Sequence, residues 1–226
     1  SQYKSPFVIH DTKCRWLVAI SILENEVNLD YNIWIIEKVA IIMNHQALIV
    51  MDMQNGIVNG LQQKENVIAN NQKAIEHARR NSVPVIFVRV AFTGEYMEVS
   101  PNNKMFSQMK AKGVPMNKQD ESTQIVEALN RQAKEPLVTK HRLSAFTGSN
   151  LEVLLRGLQV DHLVLTGVST SGVVLSTAVE AADKDYKLTL LSDAMADQDV
   201  EKHQFLINKI LTRYADVTTV EAWCNS

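Results

Sequence analysis

Ala47-Leu48-Ile49-Val50-Met51-Asp52 reads as a strand buried on both faces that delivers a carboxylate at its carboxyl end. Five further β-rich apolar runs follow, at Val83 to Val90, Leu137-Val138-Thr139, His162 to Thr166, Lys187 to Leu191 and Val217 to Val220. Their continuous apolar character predicts a parallel sheet covered on both sides. Between them, Leu151, Leu154, Leu155 and Leu158 repeat at helical spacing, and Leu206, Ile207, Ile210, Leu211 and Tyr214 do so later. Helices are also expected over Asn66 to Arg80, presenting Ile68, Ile75 and Ala78, and after Gly172, presenting Val174, Leu175, Ala178 and Ala182. With right-handed crossovers, this alternation specifies an α/β fold: a three-layer α/β/α sandwich with a six-stranded parallel sheet.

The 226 residues are 46% hydrophobic and 21% charged, which suits one sizeable core and excludes disordered, collagen-like and disulfide-scaffold classes. A net charge of −2 offers no basic excess for a phosphate backbone or an anionic membrane, so neither nucleic acid nor membrane is expected as a partner. The cysteines, Cys14 and Cys224, sit near opposite ends, which suits a reducing compartment and a cytoplasmic protein. The apolar runs Trp16 to Leu23 and Ile33 to Met43 are too short, or too interrupted by Glu37 and Lys38, to cross a bilayer. Leu23 leads into Glu24, Asn25 and Glu26, where a signal peptide would need small residues. Residues 1–42 stand outside the alternation and are either an N-terminal extension or a start-site artefact, leaving 43–226 as the domain.

The polar, Met-rich stretch from Ala91 to Pro136 carries Gly94, Pro101, Gly113 and Pro115 and is expected to be a long loop with short helices. It begins at the edge where ligands bind in such sheets, which suggests an active-site lid.

Three strand ends carry polar groups. Asp52 opens Asp52-Met53-Gln54-Asn55-Gly56, either as a proton-transfer group whose pKa burial raises or as a turn cap. Lys140 ends the third strand, where it could pair with Asp52 or stay solvated; His141 and Arg142 beside it are expected to support rather than react. The fourth strand enters Gly167-Val168-Ser169-Thr170-Ser171-Gly172-Val173-Val174, either a tight turn whose N–H groups hold an oxyanion or an ordinary N-cap.

Together these segments, with Ser144-Ala145-Phe146-Thr147-Gly148-Ser149-Asn150-Leu151, Thr177-Ala178 and Leu191-Ser192-Asp193-Ala194, resemble the isochorismatase-like (cysteine hydrolase) superfamily over about Ala47 to Trp223. The resemblance implies a six-stranded parallel sheet, an Asp-Lys-Cys triad, a cis peptide at Val168-Ser169 and a homo-oligomer, dimer or tetramer. It makes Asp52 the general acid/base and Lys140 its charged partner. The nucleophile position, six residues after Gly167, holds Val173, which has no nucleophilic atom. Gln54, Arg89, Phe146, Val168, Ser169, Thr170 and Gly172 are the expected substrate contacts.

Isochorismatase-type members also lack a cysteine at this point and cleave a vinyl ether by proton transfer. Arg89, Lys104, Lys110 and Lys112 are too scattered to point to a dicarboxylate. No Asp-x-His-x-x-x-His cluster follows the second strand, so no catalytic metal is expected, and no cofactor. The leading expectation is a hydrolase of a small organic metabolite that works by Asp/Lys acid/base chemistry. The alternatives are a catalytically silent, small-molecule-binding or scaffold member and an amidase with a rerouted serine nucleophile.

Overall fold

The computed structural model describes residues 45–226. The expectations for residues 1–42, the apolar runs Trp16 to Leu23 and Ile33 to Met43, and Cys14 lie outside the described residues.

The strands are β1 (Gln46–Met51), β2 (Val85–Val90), β3 (Leu137–Lys140), β4 (His162–Val168), β5 (Lys187–Ala196) and β6 (Asp216–Thr218). They form one six-stranded sheet in the order β3-β2-β1-β4-β5-β6, and every pairing is parallel. The helices are α1 (Asn55–Val58), α2 (Lys64–Arg80), α3 (Lys104–Ala111), α4 (Leu151–Gly157), α5 (Leu175–Asp183), α6 (Val200–Phe205) and α7 (Val220–Cys224).

Alternation along β1 divides the core. Ala47, Ile49 and Met51 pack with Leu151 and Leu155 of α4 and Ala178 and Ala181 of α5, whereas Leu48 and Val50 pack with Val67, Ala74 and Ile75 of α2 and Trp223 of α7. Both faces of the sheet are thus covered by helices, as the unbroken apolar runs require.

The chain winds from β1 outward to β3, then returns to lay β4 on the other side of β1. The strand order reverses at that point, and in open α/β sheets the carboxyl ends of the strands at such a reversal are where ligands bind. The two strands approach closely there: a Cβ on Gly167, at φ +122°, would lie 1.9 Å from the Met51 carbonyl oxygen. Gly167→Ala is therefore expected to cost several kcal/mol, about 3 or more, through both overlap and backbone strain. Urea denaturation of the variant measures it.

Several boundaries differ from expectation. β2 begins at Val85 rather than Val83, because Pro84 has no N–H for a ladder and offers only its carbonyl, to Leu48. β5 continues past Leu191 to Ala196, through a register shift opposite Leu165 and Gly167. β6 stops at Thr218, since Thr219 caps α7 by accepting from the Ala222 N–H. The expected helix over Leu206 to Tyr214 is the tail of a longer unit: α6 runs into a widened turn at Leu206–Ile210 and a tight one at Leu211–Arg213.

The Ala91 to Pro136 segment is a long connection containing α3 and two short turns, Glu121–Thr123 and Glu127–Leu129. It has a small apolar core of its own, formed by Phe92, Tyr96, Phe106 and Met116 with Val90. It is tied back by paired hydrogen bonds of 2.8 and 2.9 Å from Arg79 to Glu135.

Candidate active site

β1 ends at Met51, and the chain turns sharply at Asp52, whose φ of 53° lies in the left-handed region that aspartate tolerates better than most residues. The Asp52 N–H donates to Val88 on β2, and its carbonyl accepts from the Gln54 N–H. The carboxylate is thereby held at the rim of the sheet, only 5% exposed.

Lys140 reaches it from the end of β3, two strands away. Its Nζ lies 2.9 Å from Asp52 Oδ2 and donates to the Arg142 carbonyl at 3.0 Å, and the residue is 1% exposed. The turn-cap and solvated-lysine alternatives thus give way to a buried ion pair. The other carboxylate oxygen, Oδ1, is buried with no hydrogen-bond partner among the described residues. Loss of hydration raises the Asp52 pKa above its ordinary 3.8, and this outweighs the charge and hydrogen bond of Lys140, which pull it down.

The third component comes from β4. Its end enters a cis Val168-Ser169 bond and then a widened helical turn, Thr170–Val174, before α5 begins. Val173 is 2% exposed and shares a core cluster with Met51, Val88 and Ala145. The β1–β4 register, Met51 opposite Gly167, sets this turn beside Asp52.

The turn's hydrogen bonds are largely committed internally. The N–H groups of Gly172 and Val174 donate to the Ser169 carbonyl, and that of Ser171 donates to Asp197 Oδ2 at 2.9 Å. Gly172 and Ser171 are therefore not oxyanion donors. Glycine is needed at 172 for a different reason: a Cβ there would lie 2.7 Å from the Ser169 hydroxyl. Ser169 does not cap the helix, and its side chain is half-buried.

Several expected substrate contacts are positioned otherwise. Gln54 is fully buried, and its amide donates to the Val90 and Thr123 carbonyls and accepts from the Val90 N–H, so it bridges β2 to the long connection. Arg89 alternates with Val88 and Val90 and lies on the β2 side of Phe87, where it holds Thr139, Lys118 and Gln124. The Phe146 ring packs against Tyr186 and Lys184, at the far end of α5 from the Val173 turn. The Val168 side chain packs with Val164 and Leu191 in the α2-side core. Thr170 is 0% exposed and its hydroxyl meets His203 Nδ1 at 2.8 Å.

The beside-strand histidine is in a supporting place: His141 Nδ1 lies 2.8 Å from the Ala91 carbonyl. Cys224 ends α7 and packs with the α2-side core, on the other sheet face from Val173. Among the described residues, no group of three or more His, Cys, Asp and Glu side chains could hold a metal ion, and no helix is long and apolar enough to cross a membrane.

Two residues that sequence reading did not select are Asp197 and His203, which grip the turn from behind. Asp197 follows β5 and His203 lies on α6. In sequence they sit in Asp197-Gln198-Asp199-Val200-Glu201-Lys202-His203, which looks like a capped and solvated helix start. Only the packing of β5 beside β4 brings them to Thr170 and Ser171.

Comparison with known proteins agrees with this architecture. Residues 46–222 match the family model described as the Isochorismatase domain. The chain is 32% identical over 183 residues to the uncharacterized isochorismatase family protein YecD of Escherichia coli O157:H7, covering 80% of this chain and 95% of that protein. It is 29% identical over 212 residues to the ureidoacrylate amidohydrolase RutB of Serratia proteamaculans, covering 84% and 86%. Among solved structures, an isochorismatase family protein from Burkholderia thailandensis superposes with a TM-score of 0.69 at 30% identity, covering 80% of this chain and 96% of the other. A cysteine hydrolase from Pseudomonas syringae pv. phaseolicola shares the fold, with a TM-score of 0.74 at 22% identity over 80% and 91% of the two chains. A parallel sheet reversing at β1 and β4, with its buried Asp–Lys pair at the reversal, thus coincides with a family match spanning most of the sequence, and the chain belongs to the isochorismatase family.

Proposed function

We propose that this chain is a hydrolase of a small organic metabolite in which Asp52 moves the proton, Lys140 stabilises its charge, and no cysteine nucleophile takes part. The observation that carries this reading is the Asp52 carboxyl itself. One oxygen is held by Lys140 at 2.9 Å, and the other is buried without a partner. A buried, unsatisfied carboxylate oxygen is costly, so one at the carboxyl edge of the sheet where the strand order reverses is suited to meeting a substrate or water hydrogen. Burial keeps its proton to higher pH than usual, which suits a group that both gives and takes one.

Val173 supports the non-thiol part of the reading. An isopropyl group packed into the core can neither attack a carbonyl nor leave. The relatives named as ureidoacrylate amidohydrolases make ureides a natural class to test, and proton transfer without a nucleophile makes vinyl ethers another. In this reading the long connection after β2 acts as the lid. A cytoplasmic, homo-oligomeric protein acting without nucleic acid, membrane, metal or cofactor completes the reading.

The test is a turnover screen of amides, ureides and vinyl ethers with wild type and Asp52→Asn side by side. Turnover by wild type that the variant loses supports the reading; substrate binding without turnover by either would replace it with a binding role. Pretreatment with iodoacetamide is expected to leave the rate unchanged. Strong inactivation that substrate prevents would contradict the non-thiol assignment.

A further inference from the structure

The turn that carries Val173 is held on its opposite side by two groups from elsewhere in the chain. His203 Nδ1 lies 2.8 Å from the Thr170 hydroxyl, and Asp197 Oδ2 accepts the Ser171 N–H at 2.9 Å. We propose that His203 and Asp197 are positioning residues, which act through Thr170 and Ser171 to set the direction in which the turn faces Asp52. This rests on the reading of the turn as part of the reaction site.

The geometry supports a specific rather than a general structural role. Thr170 is fully buried, so its hydroxyl depends on a protein partner, and His203 supplies one. With the ring neutral, the direction of this hydrogen bond follows the tautomer, Thr170 O–H donating to a bare Nδ1 or accepting from Nδ1–H; with the ring protonated, Nδ1–H must donate to the hydroxyl, whose own hydrogen then needs another acceptor. The hydrogen bond at the start of the turn is thus coupled to the charge on His203. Asp197 takes the Ser171 N–H out of the turn's own hydrogen bonding and ties it to the end of β5.

The groups around His203 define this coupling. Burial lowers its pKa, and the Asp197 carboxylate partly offsets that. Asp199, Glu201 and Lys202 lie on its own helix start, where Lys202 Nζ is 3.8 Å from Asp197. Lys73 of α2 and Asp193 of β5 share with His203 the lining of a cavity of about 460 Å³. Asp193 is engaged with the Val220 N–H, and the turn itself contributes no charged side chain. Burial thus favours the neutral ring.

The experiment follows the wild-type chain by nuclear magnetic resonance through a pH titration. The backbone amides of Ser171, Gly172 and Val173 are expected to shift with the same midpoint as the His203 ring. Thr170→Val is expected to remove that common midpoint and Thr170→Ser to restore it. With any substrate the screen finds, Thr170→Val should lower kcat about tenfold with KM within about twofold, as a small misplacement of the groups that orient a substrate does, and Thr170→Ser should recover the rate. Amides that stay flat while His203 titrates overturn the proposal, and this result needs no variant to fold. An unchanged kcat in Thr170→Val alongside an inactive Asp52→Asn also overturns it while leaving the proposed chemistry intact. Turnover retained by Asp52→Asn would count against the chemistry instead, and the amide titration would still decide the positioning role.

Discussion

Lys140→Met is expected to destabilise the folded chain by about 3–5 kcal/mol, because it removes one partner of a buried ion pair and leaves the other behind. Methionine fills much of the lysine's space, so packing contributes little to the loss. What is lost is the 2.9 Å contact with Asp52 Oδ2 and the hydrogen bond to the Arg142 carbonyl. The effect also has a pH sign. The folded-state pKa of Asp52 is raised, so its titration contributes stability that is full below the ordinary value of 3.8 and is lost as pH climbs through the raised value. Removing Lys140 takes away two of the influences that hold that pKa down, its charge and its hydrogen bond, so the carboxyl is neutral over a wider range. Urea denaturation should therefore find a smaller loss at pH 5 than at pH 8. The double variant Asp52→Leu with Lys140→Met should recover most of the stability, since neither charge then remains buried. Equal losses at the two pH values would show that the pair is not what the substitution disrupts.

The second large effect is on turnover. Asp52→Asn keeps the side chain's shape but removes the titratable carboxyl proton. Positioned acid/base groups contribute roughly 10²–10⁴-fold, so kcat should fall by about that factor while KM changes only a few-fold. A fall confined to KM would make Asp52 a binding group. A full loss of kcat with intact folding would place it in the chemical step.

Much of the scaffold was legible in the chain because the strands are buried on both faces. Ala47 to Met51 can be apolar without interruption only if helices cover both sides, and that requirement leads directly to a parallel sandwich. Where polar residues entered a strand, the signal failed. In the sequence Ser192 and Asp193 read as the end of β5, yet the strand continues through them. The Ser192 hydroxyl donates to the Thr218 carbonyl and Asp193 accepts the Val220 N–H, so their polarity is satisfied at the sheet edge.

The site was legible in part for a similar reason. Asp52 and Lys140 each follow an apolar run, and a polar group at that place must emerge at the carboxyl edge. Side-chain direction was not legible. Arg89 lies in β2, one residue from Val88 and Val90, and period-two alternation turns it to the opposite face. Gln54 looked like a ligand group but is consumed by the backbone of β2 and the long connection, a pairing some 36 and 69 residues distant in sequence. His203 and Asp197 were hidden because their partners lie in another strand-to-helix turn, and no local pattern encodes that contact.

The central claim is that the Asp52 carboxyl carries the proton that the reaction moves. The most direct measurement is the titration of the Asp52 carboxyl carbon by nuclear magnetic resonance, set beside the pH dependence of kcat/KM for a turned-over substrate. The account expects Asp52 to titrate above 3.8, with the same midpoint in the rate profile and no such limb in Asp52→Asn. A carboxyl that titrates at or below its ordinary value, with a rate profile that ignores it, would contradict the account.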